Sequence, residues 1–409
     1  MIRFSFLTIL LSALFASGQE PSPKPKAPPP QPKEVAEGRK AMLDVLGPEI
    51  AKAKTPDAKK AMAARLVGSA GSQDEAPGVR WATLHQARDL AASAGDVTTA
   101  LKAVDAITTT FDTNRPDLLA ETAEKLGHVV PLGDPLPLLK FVQQSGAEAV
   151  AADQYKAATR LLAVGMKVAA LSPKTAPVGW RFEADLKRVN ELGRAYDEAK
   201  DVPFELGKFL CFRKGNWAEG LKLFLGAKDE RYDANAKRDL ATPTEPALQL
   251  AVADGWFDLA ESLSASEQAG AYRRAFHWYR LAVPGLAGLP KGKAEGRAVK
   301  AATVVEAADM KVSGFSLYVG NWACKYMPGG ESWEYTILPS GEITMSNAGT
   351  REGAKGFAIR RNGAVLFVWE DGKILERVKL TGDKMAFERF WAPEYPKKTH
   401  ATGTAEFKP

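Results

Sequence analysis

Only two cysteines, Cys211 and Cys324, and four histidines occur in the 409 residues, and that scarcity removes whole classes of chemistry. A small disulfide scaffold needs far more cysteine. None of His85, His128, His277 and His400 has a second histidine or a cysteine at ligand spacing, so neither a histidine-based metal site nor a catalytic triad is expected. A phosphate-binding Gly-Lys-Ser/Thr loop, a dinucleotide fingerprint, a nucleophile elbow and a His-Glu-x-x-His motif are also missing, so no cofactor is implied. The 35 glycines keep no three-residue period and 45% of the residues are hydrophobic, which excludes a collagen-like fibre and pervasive disorder. A chain of this length is expected to fold as two or more domains.

The net charge is +6, and its position decides its meaning. Arg3, Lys24, Lys26 and Lys33 against Glu20 account for half of it, which leaves the rest of the chain too weakly basic for a nucleic-acid footprint. The amino terminus reads as a secretory signal over residues 1–18: Arg3, the apolar run from Phe4 to Ala16, then Ser17 and Gly18. That run is too short to span a bilayer as a helix, so no membrane span is expected once the signal is cleaved, and the expected location is secreted or periplasmic. Residues 19–33 hold seven prolines, a composition that favours extended polyproline II and a semi-rigid spacer. The two cysteines fall in different regions, so two buried free thiols are expected rather than a bridge.

From residue 34 to 308 the chain is rich in Ala, Leu, Lys and Glu, with apolar residues recurring at three and four, the period of amphipathic helices. Thr55-Pro56-Asp57, Asp96, Asn114-Arg115-Pro116 and Asp134-Pro135 supply helix starts. Gly95, Val97, Ala100, Val104 and Ile107 have the offsets of the second helix of a tetratricopeptide hairpin. Asp153, Tyr155, Ala158 and Leu162 repeat them. Gly215, Trp217, Gly220, Phe224 and Ala227 do so after a turn one residue too long, and Ala275, Tyr279 and Ala282 give a fourth partial match. The region thus resembles a divergent tetratricopeptide-like array. Between Phe204 and Leu289, the segments FLCFRKGNWAEGLKLFLGAKD, LATPTEPALQLAVADGWFDLAES and RRAFHWYRLAVPGLAGL resemble a helical module of exported planctomycetal-type proteins. That resemblance implies an exported multi-domain protein and brings no catalytic residues with it.

Over residues 313–409 the texture changes to alternation by two, as in Trp333, Tyr335, Ile337 and in Val365, Phe367, Trp369. Pro339-Ser340-Gly341, Asn362-Gly363, Asp371-Gly372 and Thr381-Gly382-Asp383 supply hairpin turns. Seven or eight short strands joined in sequence predict an antiparallel meander closed, or nearly closed, into a small barrel. Gly320-Asn321-Trp322 with the later glycine turn resembles the lipocalin pattern. The fold class is therefore α+β and multidomain: an all-α tetratricopeptide-like array followed by a small antiparallel β-barrel.

Two sets of side chains are candidates for binding. Trp322, Trp333, Tyr335, Trp369, Phe387 and Trp391 offer aromatic faces and N–H or O–H donors for a small apolar ligand or a glycan, with core filling as the plainer role. Asp254, Asp258 and Glu261, at i, i+4 and i+7, form one helix face suited to a cation or a basic peptide, with a solvated charged face as the plainer role. His277, among Phe276, Trp278 and Tyr279, reads as a packed or solvent-tipped core histidine, and Arg273 and Arg274 as an exposed helix face. The leading expectation is a non-enzymatic scaffold whose helical surface binds a protein or a cell-envelope component. The alternative makes the barrel the carrier of the small ligand, with the helices as its spacer.

Overall fold

The computed structural model describes residues 26–408 except the short segments 71–74, 130–133, 172–174, 313, 328–331, 339–340, 347–352, 370–371, 382–383 and 392–394. The expected signal segment and the start of the proline-rich tract lie outside the described residues.

Among these, fourteen α-helices precede eight strands. The first four are α1 (Pro32–Lys52), α2 (Pro56–Ser69), α3 (Pro77–Ser93) and α4 (Val97–Thr110). Next come α5 (Arg115–Gly127), α6 (Leu136–Ala151), α7 (Tyr155–Ala169) and the 24-residue α8 (Ala176–Ala199). The last group is α9 (Pro203–Lys208), α10 (Trp217–Gly220), α11 (Glu230–Leu240), α12 (Pro246–Glu261), α13 (Ala265–Ala282) and α14 (Gly288–Val312). Starts follow side-chain chemistry: Thr55, Asp96 and Asn114 each accept a hydrogen bond from the backbone N–H three residues on, satisfying donors that a first helical turn leaves open. Three of the four repeat-like segments lie on the second arm of a helical hairpin: α4 after α3, α7 after α6, and α13 after α12. Before the remaining segment, Gly215 to Ala227, the extra residue falls at a π-helical turn, Phe209–Lys214, ended by Gly215 at φ +78°. There the Asn216 N–H donates to the Leu210 carbonyl.

The proline-rich tract does not act as a spacer over its last residues. Ala27 donates its N–H to Thr110 O and accepts from Asp112 N, pinning the chain to the end of α4, and α1 opens at Pro32. At the far end, α14 continues to Val312, four residues past the expected close of the helical region.

The strands β1 (Gly320–Met327), β2 (Ser332–Ile337), β3 (Glu342–Ser346), β4 (Ala354–Arg361), β5 (Ala364–Trp369), β6 (Ile374–Thr381), β7 (Lys384–Trp391) and β8 (Ala401–Lys408) form a closed antiparallel barrel in sequence order. β1 pairs with β8, so no strand edge is left open. The β4–β5 hairpin turns through Asn362 and Gly363 at φ +51° and +78°, the two positive values a two-residue turn of this hand requires. Gly403 is required by space: a Cβ there would fall inside the Phe387 ring and crowd Lys325 O.

The two parts share their cores. Phe357, Ile359, Leu366, Val368 and Leu375, on the outer face of β4–β6, belong to the same buried cluster as the α3–α8 helices. Arg181 of α8 lies over Phe357 and Arg361 lies over Trp180 of α8, at 4.9 and 4.2 Å. The barrel interior continues the core of α11–α14 through Leu317 and Tyr318, which close the barrel end that faces the helices.

Candidate functional site: the cleft at the domain junction

Inside the barrel, β6 turns Glu376 inward. Its carboxylate has no exposed surface and accepts from Trp369 Nε1 at 2.9 Å, Tyr335 Oη at 3.1 Å, Arg389 Nε at 2.9 Å and Nη2 at 2.7 Å, and Tyr326 Oη. Burial first, and then the Glu376 charge, push the Tyr326 and Tyr335 phenols up, so both remain protonated donors. Burial opposes the charge on Arg389, but the adjoining Glu376 outweighs it and the net shift is upward. Through these contacts the β6 carboxylate meets side chains from β1, β2, β5 and β7 at once.

The structure brings four of the six aromatic candidates together on this interior. Trp322, Tyr335, Trp369 and Phe387 are at most 2% exposed, and Phe367 joins them with none, so these rings are packed chiefly against one another and their neighbours. Trp322 spends its N–H on Tyr318 O at 2.8 Å. Trp333 is half-buried beside Tyr326, and Trp391 stands 48% exposed at the barrel end away from Tyr318, its ring edge to His400. Glu376 and Arg389 were not anticipated. A Glu at an inward position between Ile374 and Val378 is the signal that could have found them.

The acidic face on α12 is taken up within the fold. Asp254 accepts from Tyr279 Oη at 2.6 Å and Arg297 Nη1 at 2.7 Å, Asp258 pairs with Arg297 at 3.0 Å, and Glu261 pairs with Lys300 at 2.6 Å. Partial burial pulls the Asp254 carboxyl upward, yet the Tyr279 and Arg297 contacts hold it below the usual range. The three carboxylates thus join α12 to α13 and α14 rather than forming an unaccompanied acidic stripe.

Arg274 also departs from an exposed helix face. It reaches Asp239, itself 1% exposed, through Nε at 2.8 Å, and Trp256 and Trp278 donate to the same carboxylate at 2.7 and 3.1 Å. Its guanidinium lies 4.9 Å from the Trp217 ring centre. Cys211 and Cys324 are buried free thiols, each pushed up by burial and therefore poor nucleophiles. Among the described residues no three His, Cys, Asp or Glu side chains gather to hold a metal ion, and no helix is long and apolar enough to cross a membrane.

What these paired clusters leave open is a cleft of about 1020 Å³ where the array meets the barrel. Its walls are α8, the π-helical turn, α13, the end of α14 with the connector through Ser316, and β4. Eight Lys and Arg side chains line it against four Asp and Glu. Two of the cations, Lys214 and Arg274, are neutralised from behind by Asp153 and Asp239, which lie outside the lining. Arg213 on the π-helical turn and Arg194 on α8 are exposed and meet no carboxylate among the described residues. Asp309, 2% exposed, ties the connector by accepting from Ser316 N and Oγ, both at 2.7 Å, and sits 3.4 Å from Arg273.

His277 opens onto this cleft with an exposed edge. The surrounding walls desolvate a charged imidazole, and Arg274 and Arg280 repel it, so its pKa is pushed down to about 4 and the ring is neutral at pH 7. Nothing in the local sequence pattern identified the cleft, because its walls come from segments more than a hundred residues apart.

Comparison with protein-family models, curated proteins and solved structures finds no match to this chain. The class defined by fold and site is a two-part α+β protein, a helical hairpin array joined to a closed eight-stranded barrel through a shared core.

Proposed function

We propose that this is an exported, non-enzymatic binding protein that holds a protein or cell-envelope component in the cleft between its helical array and its barrel. The observation that carries the reading is the cleft itself: about 1020 Å³, at a domain junction, lined by cations and by half-buried rings such as Trp217 and Phe315. Export rests on the amino-terminal apolar run and the resemblance to planctomycetal-type exported proteins. The tetratricopeptide-like spacing supports a scaffold role for the helices. In this reading the lipocalin-like barrel serves as a rigid wall, since its central aromatics are packed against one another.

The test is a binding panel of peptides, envelope glycans and lipids, run on the full mature chain and on Ala307→Trp, an exposed cleft position where a large ring obstructs the space. Binding by the parent chain that is lost in Ala307→Trp supports the reading. Binding that ignores the obstruction, or turnover of a panel member, overturns it.

A further inference from the structure

We infer that the cleft ligand is an extended peptide segment with acidic side chains at every second position, those side chains facing the wall made by α13 and the π-helical turn. The inference rests on the cleft reading above and adds the chemistry of what the cleft takes.

Three observations carry it. First, the walls differ in charge. Along α13 and the π-helical turn the charged lining residues are all cationic: Arg213, which meets no carboxylate among the described residues, Arg280, and Lys214, Arg273 and Arg274, whose charges are offset by Asp153, Asp309 and Asp239, whereas the α8 wall mixes Asp185, Glu191 and Glu198 with Arg188 and Arg194. A uniform polyanion would meet repulsion from Glu191 and Glu198. A segment acidic on one edge only would not. Second, the cations are spread along the wall rather than gathered into one anion pocket. Arg213 lies at the π-helical turn, and Arg280 lies at the barrel end, over the Trp322 and Phe407 rings. Between them, the buried Nε of Arg273 meets no acceptor among the described residues. Third, the length fits. The lining runs from Ala184 to Glu198 on α8 and from Ala265 to Arg280 on α13, each about 20 Å at the helical rise. That accommodates about six extended residues. In an extended chain successive side chains point to opposite sides, so one edge faces α13 and the other faces α8.

The experiment uses the full chain and synthetic hexapeptides titrated by calorimetry at two salt concentrations. The peptides are Glu-Ser-Glu-Ser-Glu-Ser, its neutral Gln-for-Glu counterpart, and a peptide of the same composition with its three Glu consecutive. Inorganic phosphate and polyphosphate form separate arms. The expected result is that the alternating acidic peptide binds best and more weakly at high salt. Its affinity falls about tenfold or more in the double variant Arg213→Glu with His277→Glu, two exposed positions outside the buried pairs. In Glu191→Gln with Glu198→Gln it stays the same or rises, and Ala307→Trp abolishes it. Equal binding of the neutral peptide, still blocked by Ala307→Trp, overturns the acidic class and leaves the cleft reading standing. Equal binding of the consecutive-Glu peptide, or preference for polyphosphate, overturns the alternating register. Peptide binding that Ala307→Trp leaves intact overturns both. Unchanged circular dichroism and melting temperature in each variant exclude a folding defect as the cause.

Discussion

Arg389 and Glu376 face each other across β6 and β7, 2.7 Å apart, with the carboxylate wholly enclosed by the barrel. Removing the cation alone would strand a buried charge that two phenols and one indole cannot neutralise. Arg389→Met is therefore expected to cost about 3–5 kcal/mol in urea unfolding. The double change Glu376→Leu with Arg389→Met should cost less than the single one, because no charge is left behind. A single variant as stable as the parent would show that the pair does not hold the barrel.

Asp239 plays the corresponding part among the helices, gathering Trp256, Trp278 and Arg274 from α12 and α13 onto α11. Asp239→Ala leaves three donors without their acceptor. A loss of about 3 kcal/mol or more is expected, together with altered tryptophan emission from Trp256 and Trp278. Equilibrium unfolding followed by fluorescence measures both, and unaltered emission at unaltered stability would remove Asp239 from this role.

The pH dependence is set partly by His85. Burial, with Arg88 adding its charge, pushes its pKa from 6.5 to about 4, and its Nε2 is buried without a partner among the described residues. The folded state therefore excludes a proton that the unfolded chain binds. The stability His85 contributes is complete above about pH 6.5 and is lost as the pH falls toward 4, by up to about 3 kcal/mol. His85→Gln should flatten the acid limb of the stability curve between those values. A curve that keeps its slope after this substitution contradicts the assignment.

Gly403 gives a steric test. Gly403→Ala drives a methyl group into the Phe387 ring and toward Lys325 O, at the seam where β8 meets both β7 and β1. The expected outcome is a barrel that opens or melts early, seen as loss of amide protection in β1, β7 and β8, with a cost of about 1–3 kcal/mol. Gly363→Asn, at a turn position with open space around it, should be tolerated far better.

The architecture was legible because it is written in local period. Three-and-four spacing gave the helices, alternation by two gave the strands, and residues such as Asp96 and Asn362-Gly363 punctuated them. The even register also put Tyr335, Trp369 and Phe387 on one interior. The site was not legible for the opposite reason. Arg213, His277, Asp309 and Ala358 meet only when α8, α13, α14 and β4 are docked, and no local pattern encodes docking. The acidic row on α12 was visible, but its partners Arg297 and Lys300 lie about forty residues on, on a helix whose packing the pattern does not fix. Similarly, the docking of Ala27 against Thr110 turned part of an apparent spacer into structure.

The central claim is that the junction cleft is where this protein binds. Hydrogen–deuterium exchange of the full chain, with and without saturating Glu-Ser-Glu-Ser-Glu-Ser peptide, tests it most directly. The account predicts added protection over residues 188–198, 210–217 and 268–280, with the α12 and α14 outer faces and the central barrel strands unchanged. Protection confined to the barrel, or to the Asp254, Asp258 and Glu261 face, would contradict it.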